Sequence, residues 1–208
     1  DLTDERAVIA AVPNIVRRHG RLDILLNNAG VCMWSGFMES SLDMWRLTLE
    51  TNLTATYLLS REAAKPMLAQ QYGRIINVSS LTGLLPGAPT STLYPAAKAF
   101  QVKFSESLAC ELGGTGVYVC ALCPGFTHTE FHDVMGTRGV VGKLPAFLWQ
   151  DARSVARAGI AAVMRNETVH VVGPVNRLVA NLMRHLSPER ARGLMRRSAK
   201  HYRDVPTA

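Results

Sequence analysis

Apolar positions along the chain follow two alternating patterns. Short continuous apolar runs alternate with longer segments in which apolar residues recur at helical spacing. Runs of the first kind are typical of buried parallel strands, and segments of the second kind are typical of amphipathic helices. The runs predict strands at residues 22–27, 74–78, 117–122 and 168–172. Strands that alternate with helices predict an α/β fold, a doubly wound parallel sheet with helices on both faces.

The first helical segment has recognisable start and stop signals. Thr3 is its predicted N-cap, and Gly20 is predicted to end it. Pro13 lies inside the pattern and is expected to kink the helix. The predicted buried face consists of Val8, Val12, Ile15 and Val16.

The later segments are read in the same way. A long helix is predicted from Ser40 or Ser41 to just before Gly73, and another from about Tyr94 to Gly113. Residues 126–150 are loop-like but rich in apolar side chains, and a helix is expected at 151–165. An amphipathic helix with one apolar face follows, and Ser187 and Pro188 begin a final basic helix. The apolar face of the amphipathic helix consists of Val175, Leu178, Val179, Leu182, Met183 and Leu186.

Composition indicates one domain with a sizeable core. The chain has 208 residues, of which 48% are hydrophobic. No signal peptide is visible, and no apolar run is long enough to span a bilayer. The four cysteines are scattered and match no disulfide framework, which predicts a reducing compartment and therefore a cytoplasmic protein.

Net charge is +7, and much of the excess lies in the last segment of the chain. A basic surface attracts phosphate-bearing ligands, nucleic acid or anionic lipid. Aromatic residues are not interleaved with these charges for base stacking, so we interpret the segment as a solvated helix face and expect no nucleic-acid partner. Contact of the basic, amphipathic segment with an anionic membrane is the less favoured alternative.

The stretch Tyr94-Pro95-Ala96-Ala97-Lys98 carries the clearest chemistry. A Tyr and a Lys four residues apart lie on one face of a helix. An ammonium group beside a phenol favours the phenolate, so the pKa of Tyr94 is expected to fall from its ordinary value. A phenol of this kind can give or take a proton near neutral pH.

Three further motifs lie at the ends of apolar runs. They are Asn27-Asn28-Ala29-Gly30, Asn77-Val78-Ser79-Ser80 and Cys123-Pro124-Gly125-Phe126-Thr127-His128-Thr129. Together with Asn52 in a helix and the Tyr94 motif, this ordered set resembles the short-chain dehydrogenase/reductase family. The resemblance covers the chain up to about Gly173.

The resemblance implies four catalytic residues. Tyr94 would be the general acid/base, and Lys98 would lower its pKa and hold the nicotinamide ribose. Ser80 would hydrogen-bond the substrate oxygen, with Ser79 as a minor alternative. Asn52 would bend its helix and help to hold a water that links the lysine to solvent.

The cofactor implied by the resemblance is NAD or NADP. Asn28, Ala29 and Gly30 match the loop that passes its adenosine side, while Asn27 is interpreted as a residue that ties strands together. Asp1 matches an acid that contacts the adenine, with the Leu2 backbone beside it. The segment that holds the carboxamide is matched by Pro124, Gly125, Thr127 and Thr129.

One family motif is missing from the sequence. The strand, T-G-x-x-x-G-x-G turn and helix that bind the pyrophosphate have no counterpart here, and Gly113-Gly114-Thr115-Gly116 joins a helix to a strand instead. The chain is therefore expected to begin at the end of the family's third strand and to lack the first βαβ portion. We expect a partial catalytic domain at 1–173 and a basic helical extension, packed on it, at 174–208.

Two other groupings are set aside. Cys120 and Cys123 have redox spacing, but they lie in a predicted strand and are interpreted as buried thiols. His128 and His132, with Glu130 and Asp133 nearby, could mimic a zinc cluster, but the implied mechanism needs no metal, and none is expected.

The predicted function is hydride transfer between NAD(P)(H) and a small-molecule carbonyl/alcohol pair. The apolar segment 126–149 suggests a lipophilic substrate, such as a steroid, a fatty acyl ketone or a xenobiotic carbonyl. The first alternative is a non-catalytic remnant that only binds partners, and the second is epimerisation or dehydration of a nucleotide sugar. The resemblance also implies a homodimer or homotetramer.

Overall fold

The computed structural model describes residues 1–32, 36–87 and 92–199. Helices and strands alternate along most of it. The elements are α1 (Glu5–His19), β1 (Ile24–Asn27), α2 (Leu42–Leu49), a π turn (Glu50–Thr54), α3 (Ala55–Ala69), β2 (Gly73–Val78), a 3₁₀ turn (Leu81–Gly83), α4 (Leu93–Glu111), β3 (Val117–Cys123), β4 (Phe126–His128), α5 (Phe131–Val134), α6 (Arg138–Val141), a 3₁₀ turn (Ala146–Leu148), β5 (Trp149–Asp151), α7 (Ala152–Met164), β6 (Val169–Val171), α8 (Pro174–His185) and α9 (Pro188–Ala199).

The main sheet has four parallel strands in the order β1-β2-β3-β6. All four correspond to predicted apolar runs, with ends that differ by one or two residues. In the part of the chain that the structure describes, β1 lies at the edge of this sheet. Asn27 pairs in register with Asn77 of β2, and the Asn27 Nδ2 donates to Asn77 Oδ1 at 2.8 Å.

Helices pack on both faces of the sheet, as predicted. On one face, Met67 of α3 packs with Ile75 and Val119, which are fully buried, and Val12 of α1 joins the same cluster. On the other face, Val163 of α7 packs over Ile76 and other residues of β2 and β3. Alternate residues of each strand therefore supply two separate apolar layers.

The α7 face of the sheet is only partly covered. Ile24 and Leu26 point to this face from β1, and they remain 47% and 56% exposed. Helix α7 contacts β2 and β3, so the apolar surface of β1 forms an open wall of the cleft described below.

Helix α1 corrects two details of the sequence analysis. Its N-cap is Asp4, whose side chain accepts hydrogen bonds from the backbone of Arg6 and Ala7, rather than Thr3. Ile15 is exposed, because only one stripe of the helix reaches α3. Gly20 ends the helix with a left-handed φ of 78°, as predicted.

The long helix that follows is continuous but has a wide turn in it. Ser41 caps α2 by accepting from the Met44 amide. The helix then passes through the π turn at Glu50–Thr54 into α3. Asn52 lies in this turn and is fully buried, which places an irregular, polar stretch of helix against the site.

Residues 126–150, predicted as a loop, contain regular structure. β4 and β5 form a second, parallel two-stranded sheet, with α5 and α6 between them. Each of these strands has three residues and each helix has four. Such short elements show no periodicity in the sequence, so hydrophobic patterning could not reveal them.

The apolar face of α8 is divided between the protein and solvent. Val179 and Met183 are half-buried, whereas Leu178 and Leu182 are 69% and 52% exposed. Within the described residues, no helix is both long and apolar enough to cross a lipid bilayer. Cys110, Cys120 and Cys123 are free thiols.

Candidate active site

A cleft of about 970 Å³ opens at the carboxyl ends of the main strands. This edge is where parallel α/β sheets place their ligands. Most of the residues singled out in the sequence line it. They are Asn28, Ala29, Gly30, Ser80, Tyr94, Lys98, Pro124, Gly125, Thr127 and Thr129.

Tyr94 and Ser80 come together in this cleft. Tyr94 lies in the first turn of α4. Its phenol shares a hydrogen bond with the Ser80 side chain. Phe131 of α5 lies against the Tyr94 ring, with the two centroids 6.0 Å apart. The pair therefore presents two hydroxyls beside an apolar wall.

Lys98 lies one turn further along α4 and is only 3% exposed. Its Nζ donates to the backbone oxygen of Val78 at 2.8 Å and to Gln101 Oε1 at 3.0 Å. It also lies 5.5 Å from the centroid of the Tyr94 ring. Burial lowers the pKa of Lys98 to about 8, because a low-polarity environment disfavours the charged ammonium.

The expected fall in the pKa of Tyr94 is wrong for the chain as folded here. Burial raises the pKa of this phenol, and the hydrogen bond with Ser80 opposes that rise only in part. Lys98 Nζ lies over the ring, and two acceptors already engage it. Spacing along a helix indicated that the two groups are neighbours, but it could not indicate how strongly they are desolvated.

The two serines after β2 have different partners. Ser79 is buried, and its hydroxyl donates to the backbone oxygen of Lys98 at 2.7 Å, which ties β2 to α4. Ser80 is half-buried and bonds to Thr82. This geometry favours Ser80 over Ser79 as the hydroxyl available to a bound molecule.

Asn52 lies behind the cleft and holds one of its loops. Its Oδ1 accepts from the Val31 amide at 2.9 Å, and its Nδ2 donates to the Val31 oxygen at 2.8 Å. The adjacent Gly30 has no room for a side chain, since a Cβ there would lie 2.9 Å from Asn52 Oδ1 and 3.4 Å from Lys98 Nζ. Asn52, Gly30 and Lys98 therefore form one packed unit.

Two residues that the sequence analysis missed hold the turn after β3. Gln150 accepts from the Gly125 amide at 3.1 Å and donates to the Val172 oxygen at 3.0 Å. Asn176 donates to the same oxygen and lies so close to Gly125 that a Cβ there would be 2.5 Å from its Nδ2. No local motif marks either residue, because their contacts with Gly125 join positions that are distant in the sequence.

The remaining predicted positions are less central. Thr127 donates to the Gly125 oxygen, whereas Thr129 is exposed and accepts from the Phe131 amide. Asp1 and Leu2 do not line the cleft. The Asp1 carboxylate instead accepts from the amide and hydroxyl of Thr3.

An aromatic cluster covers one side of the cleft. Trp149 stacks on His128 and contacts His132 and Phe126. Burial lowers the pKa of His132. In residues 1–32, 36–87 and 92–199, no group of three His, Cys, Asp or Glu side chains could hold a metal ion.

The burial of Lys98 predicts a pH-dependent stability. Between pH 8 and about 9.5 the unfolded chain keeps the Lys98 proton and the folded chain releases it, so stability should rise with pH. We expect urea unfolding to show a gain of about 2 kcal/mol in this range, which Lys98→Met abolishes. Lys103→Met, in the same helix but at an exposed position, is the control and should keep the wild-type slope. An unchanged slope in Lys98→Met would contradict the assignment.

Comparisons with known proteins agree with this geometry. The sequence model of the short chain dehydrogenase family matches residues 1–137. The 3-oxoacyl-(acyl-carrier-protein) reductase FabG of Haemophilus influenzae is 33% identical over 176 residues, which cover 83% of this chain and 72% of the reductase. The same reductase of Escherichia coli is 31% identical over 182 residues, which cover 83% of this chain and 74% of that protein.

Two solved structures have the same fold. A gluconate 5-dehydrogenase from Burkholderia cenocepacia, in complex with NADP and tartrate, superposes with a TM-score of 0.72 at 25% identity, over 83% of this chain and 71% of that one. A short-chain dehydrogenase from Sphingobium yanoikuyae, in complex with NADPH, superposes with a TM-score of 0.73 at 29% identity, over 90% of this chain and 74% of that one. The predicted cofactor, NAD or NADP, is consistent with both.

Proposed function

The chain belongs to the short-chain dehydrogenase family, and we propose that it is an NAD(P)-dependent oxidoreductase that interconverts a carbonyl and an alcohol. The observation that carries this proposal is the convergence of Tyr94, Ser80 and Lys98 on one cleft, beside the loop that Asn52 holds. A proton donor, a second hydroxyl and a buried cation within one cleft suit the reduction of a polarised C=O bond.

Each side chain has a separate task in this proposal. The Tyr94 phenol gives its proton to the carbonyl oxygen in reduction and takes it back in oxidation. The Ser80 hydroxyl donates to the same oxygen as negative charge develops there. The charge of Lys98, next to the Tyr94 ring, opposes the rise that burial causes in the pKa of this phenol. The cofactor supplies or accepts the hydride.

The residues present fit the nicotinamide half of this cofactor. Gly30 and Gly125 expose backbone inside the cleft at positions where a Cβ would collide with Asn52, Lys98 or Asn176. A flat ring and a ribose can approach such bare backbone closely. Among the described residues Lys98 Nζ donates to two acceptors, which leaves the third N–H group of an ammonium for a ribose hydroxyl. The sequence contains no glycine-rich pyrophosphate motif, so cofactor affinity is the first quantity to measure.

The decisive experiment is a calorimetric titration of the folded chain with NADH and with NADPH. Micromolar binding of either, followed by turnover of a carbonyl, would support the proposal and identify the preferred cofactor. A folded chain that binds neither would contradict it, and would favour the alternative of a module that only binds partners.

We propose further that the substrate is lipophilic. The cleft wall near Tyr94 consists largely of apolar side chains, and these include Phe126, Phe131, Met135, Leu148 and Met183. The FabG relatives are named for 3-oxoacyl chains, which are themselves apolar beyond the reacting carbonyl. In a panel of ketones of graded chain length, kcat/KM should rise with chain length. A flat series would overturn this part of the proposal.

A homodimer or homotetramer is also proposed. Helices α3 and α4 expose a group of aromatic side chains, in which Tyr57 contacts Phe104 and Phe100 stacks on Phe104 at 6.0 Å. Tyr57 and Phe100 are about half exposed, and such a patch is typical of an interface.

Replacing Phe100 by Glu is expected to dissociate the oligomer, because a charge would then be buried in the proposed interface. Sedimentation velocity would measure this. Phe147→Glu, at an exposed position in the 3₁₀ turn before β5, is the matched control and should leave the mass unchanged. A monomeric wild-type chain at high concentration would refute the proposal.

A further inference from the structure

Gln101 is a fully buried glutamine in α4, three residues after Lys98. A buried carboxamide is costly unless its polar atoms are hydrogen-bonded. No local motif marks it, because a single glutamine on a helix carries no chemical signature of its own. Its contacts place it between two residues of the candidate site.

The two ends of the carboxamide have different partners. Oε1 accepts from Lys98 Nζ at 3.0 Å. Nε2 donates to the backbone oxygen of Asn52 at 2.7 Å and lies 3.4 Å from Thr56 Oγ1. One side chain thus connects the buried cation on α4 to the π turn between α2 and α3.

The π turn is what makes the Asn52 oxygen available. This oxygen accepts from the side chains of Gln101 and Thr56, rather than serving only the helical backbone. The side chain of the same Asn52 holds Val31 in the loop after β1. Gln101 is therefore connected both to Lys98 and to the loop that faces it.

We propose that Gln101 is a positioning residue that orients Lys98 and stabilises its charged form from the core side of the cleft. The Oε1 acceptor bonds more strongly to a charged ammonium than to a neutral amine, so the contact favours the charged form of Lys98. Gln101 thus connects Lys98 directly to the backbone of Asn52, the residue to which the family resemblance assigns the lysine-bound water. The catalytic consequence of this inference rests on the proposed function, whereas the contacts do not.

Within the part of the chain that the structure describes, the other groups that face Lys98 are not carboxylates. They are Tyr94 on the same helix, Cys32 in the loop after β1 and Cys123 at the end of β3. With the Val78 oxygen, Gln101 Oε1 is thus one of two neutral acceptors bonded to the ammonium. Loss of one of two such bonds should favour the neutral amine.

The test is the variant Gln101→Leu, which keeps the bulk of the side chain and removes the acceptor. The pKa of Lys98, followed by NMR of its ¹⁵N-labelled side chain, is expected to fall by about one unit, as the loss of a hydrogen bond to a charged group implies. The alkaline limb of the pH profile of kcat/KM should shift to lower pH by the same amount. Gln101→Glu keeps an acceptor and adds negative charge, so it should raise the pKa of Lys98 and shift the alkaline limb to higher pH.

The matched control is Gln70→Leu. Gln70 also bonds to distant backbone, at Leu22 and Tyr72, but it lies at the opposite end of the strands from Lys98. The Gln70→Leu variant should lower stability without changing the NMR titration of Lys98 or the alkaline limb of kcat/KM. A folded Gln101→Leu with a wild-type Lys98 titration would overturn the proposal, and if that variant does not fold, Gln101→Glu decides in the same way.

The NMR titration needs no turnover. If the wild type has no activity, the proposed function fails while the Lys98 measurement still decides the role of Gln101.

Discussion

Replacement of Tyr94 by Phe is expected to lower kcat for carbonyl reduction by about a thousandfold. The ring and its contact with Phe131 would remain, while the hydroxyl that bonds to Ser80 would be lost. Only the proton transfer should therefore suffer. Steady-state kinetics with a saturating nicotinamide cofactor would measure the effect, and the affinity for that cofactor should change by less than a few-fold.

The control for this prediction is Tyr57→Phe. Tyr57 lies on α3, outside the cleft, and loses an exposed hydroxyl. It should retain wild-type kcat. If Tyr94→Phe kept more than a tenth of the activity, Tyr94 would not be the general acid, and Ser80 or a bound water would have to supply the proton.

Gly116→Ala is expected to destabilise the protein by about 2–4 kcal/mol. Gly116 has a φ of +84°, where an Ala costs on the order of 1 kcal/mol. A Cβ there would also lie 2.1 Å from the backbone oxygen of Gln71. The neighbouring backbone would have to move, which typically costs a further 1–3 kcal/mol. The Gly116 oxygen bonds to Gly73 and Arg74, so this movement would disturb the start of β2.

Gly114→Ala separates the two causes. Gly114 has a φ of +78° in the same turn, but a Cβ there would have nothing within 4 Å. It should lose only about 1 kcal/mol, the cost of the left-handed backbone. Urea unfolding of both variants would compare them, and equal losses would show that crowding against Gln71 has no role.

The sequence predicted β2 and β3 because these central strands are buried on both faces. The run at 117–122 is continuous and apolar, the run at 74–78 is mostly apolar, and they correspond to β3 and β2. Ser41 and Gly20 were also recognisable, since caps depend on local backbone geometry. The N-cap of α1 was wrong by one residue, because Thr3 and Asp4 are both good caps and only the fold selects between them.

Part of the candidate site was also predictable. Tyr94 and Lys98 are four residues apart on a helix, and Ser80 and Gly30 directly follow strands. Their convergence in one cleft therefore follows from the topology of a parallel sheet. Whether these residues catalyse a reaction is still a prediction.

Other features required the tertiary structure. The pKa of Tyr94 depends on how the cleft desolvates the phenol. The contacts of Gln101 with Asn52 and of Asn176 with Gly125 join elements that are far apart in the sequence. The exposed half of the apolar face of α8 was also unpredictable. Periodicity indicates which side chains share a face but not how much of that face is covered.

The asparagine pair at the ends of β1 and β2 has a consequence for the spacing of the cleft. Asn27 bonds to Asn77 and Ser60, and Asn77 bonds in turn to Ser105 of α4. If β1 slipped by one residue, Leu26 would face Asn77, and two buried carboxamides would lose partners. Such a slip would also displace the loop that begins at Asn28 by about 3.3 Å relative to the loop that begins after Val78. The pair thus fixes the register of β1 against β2, and with it the distance between these two loops, before any ligand binds.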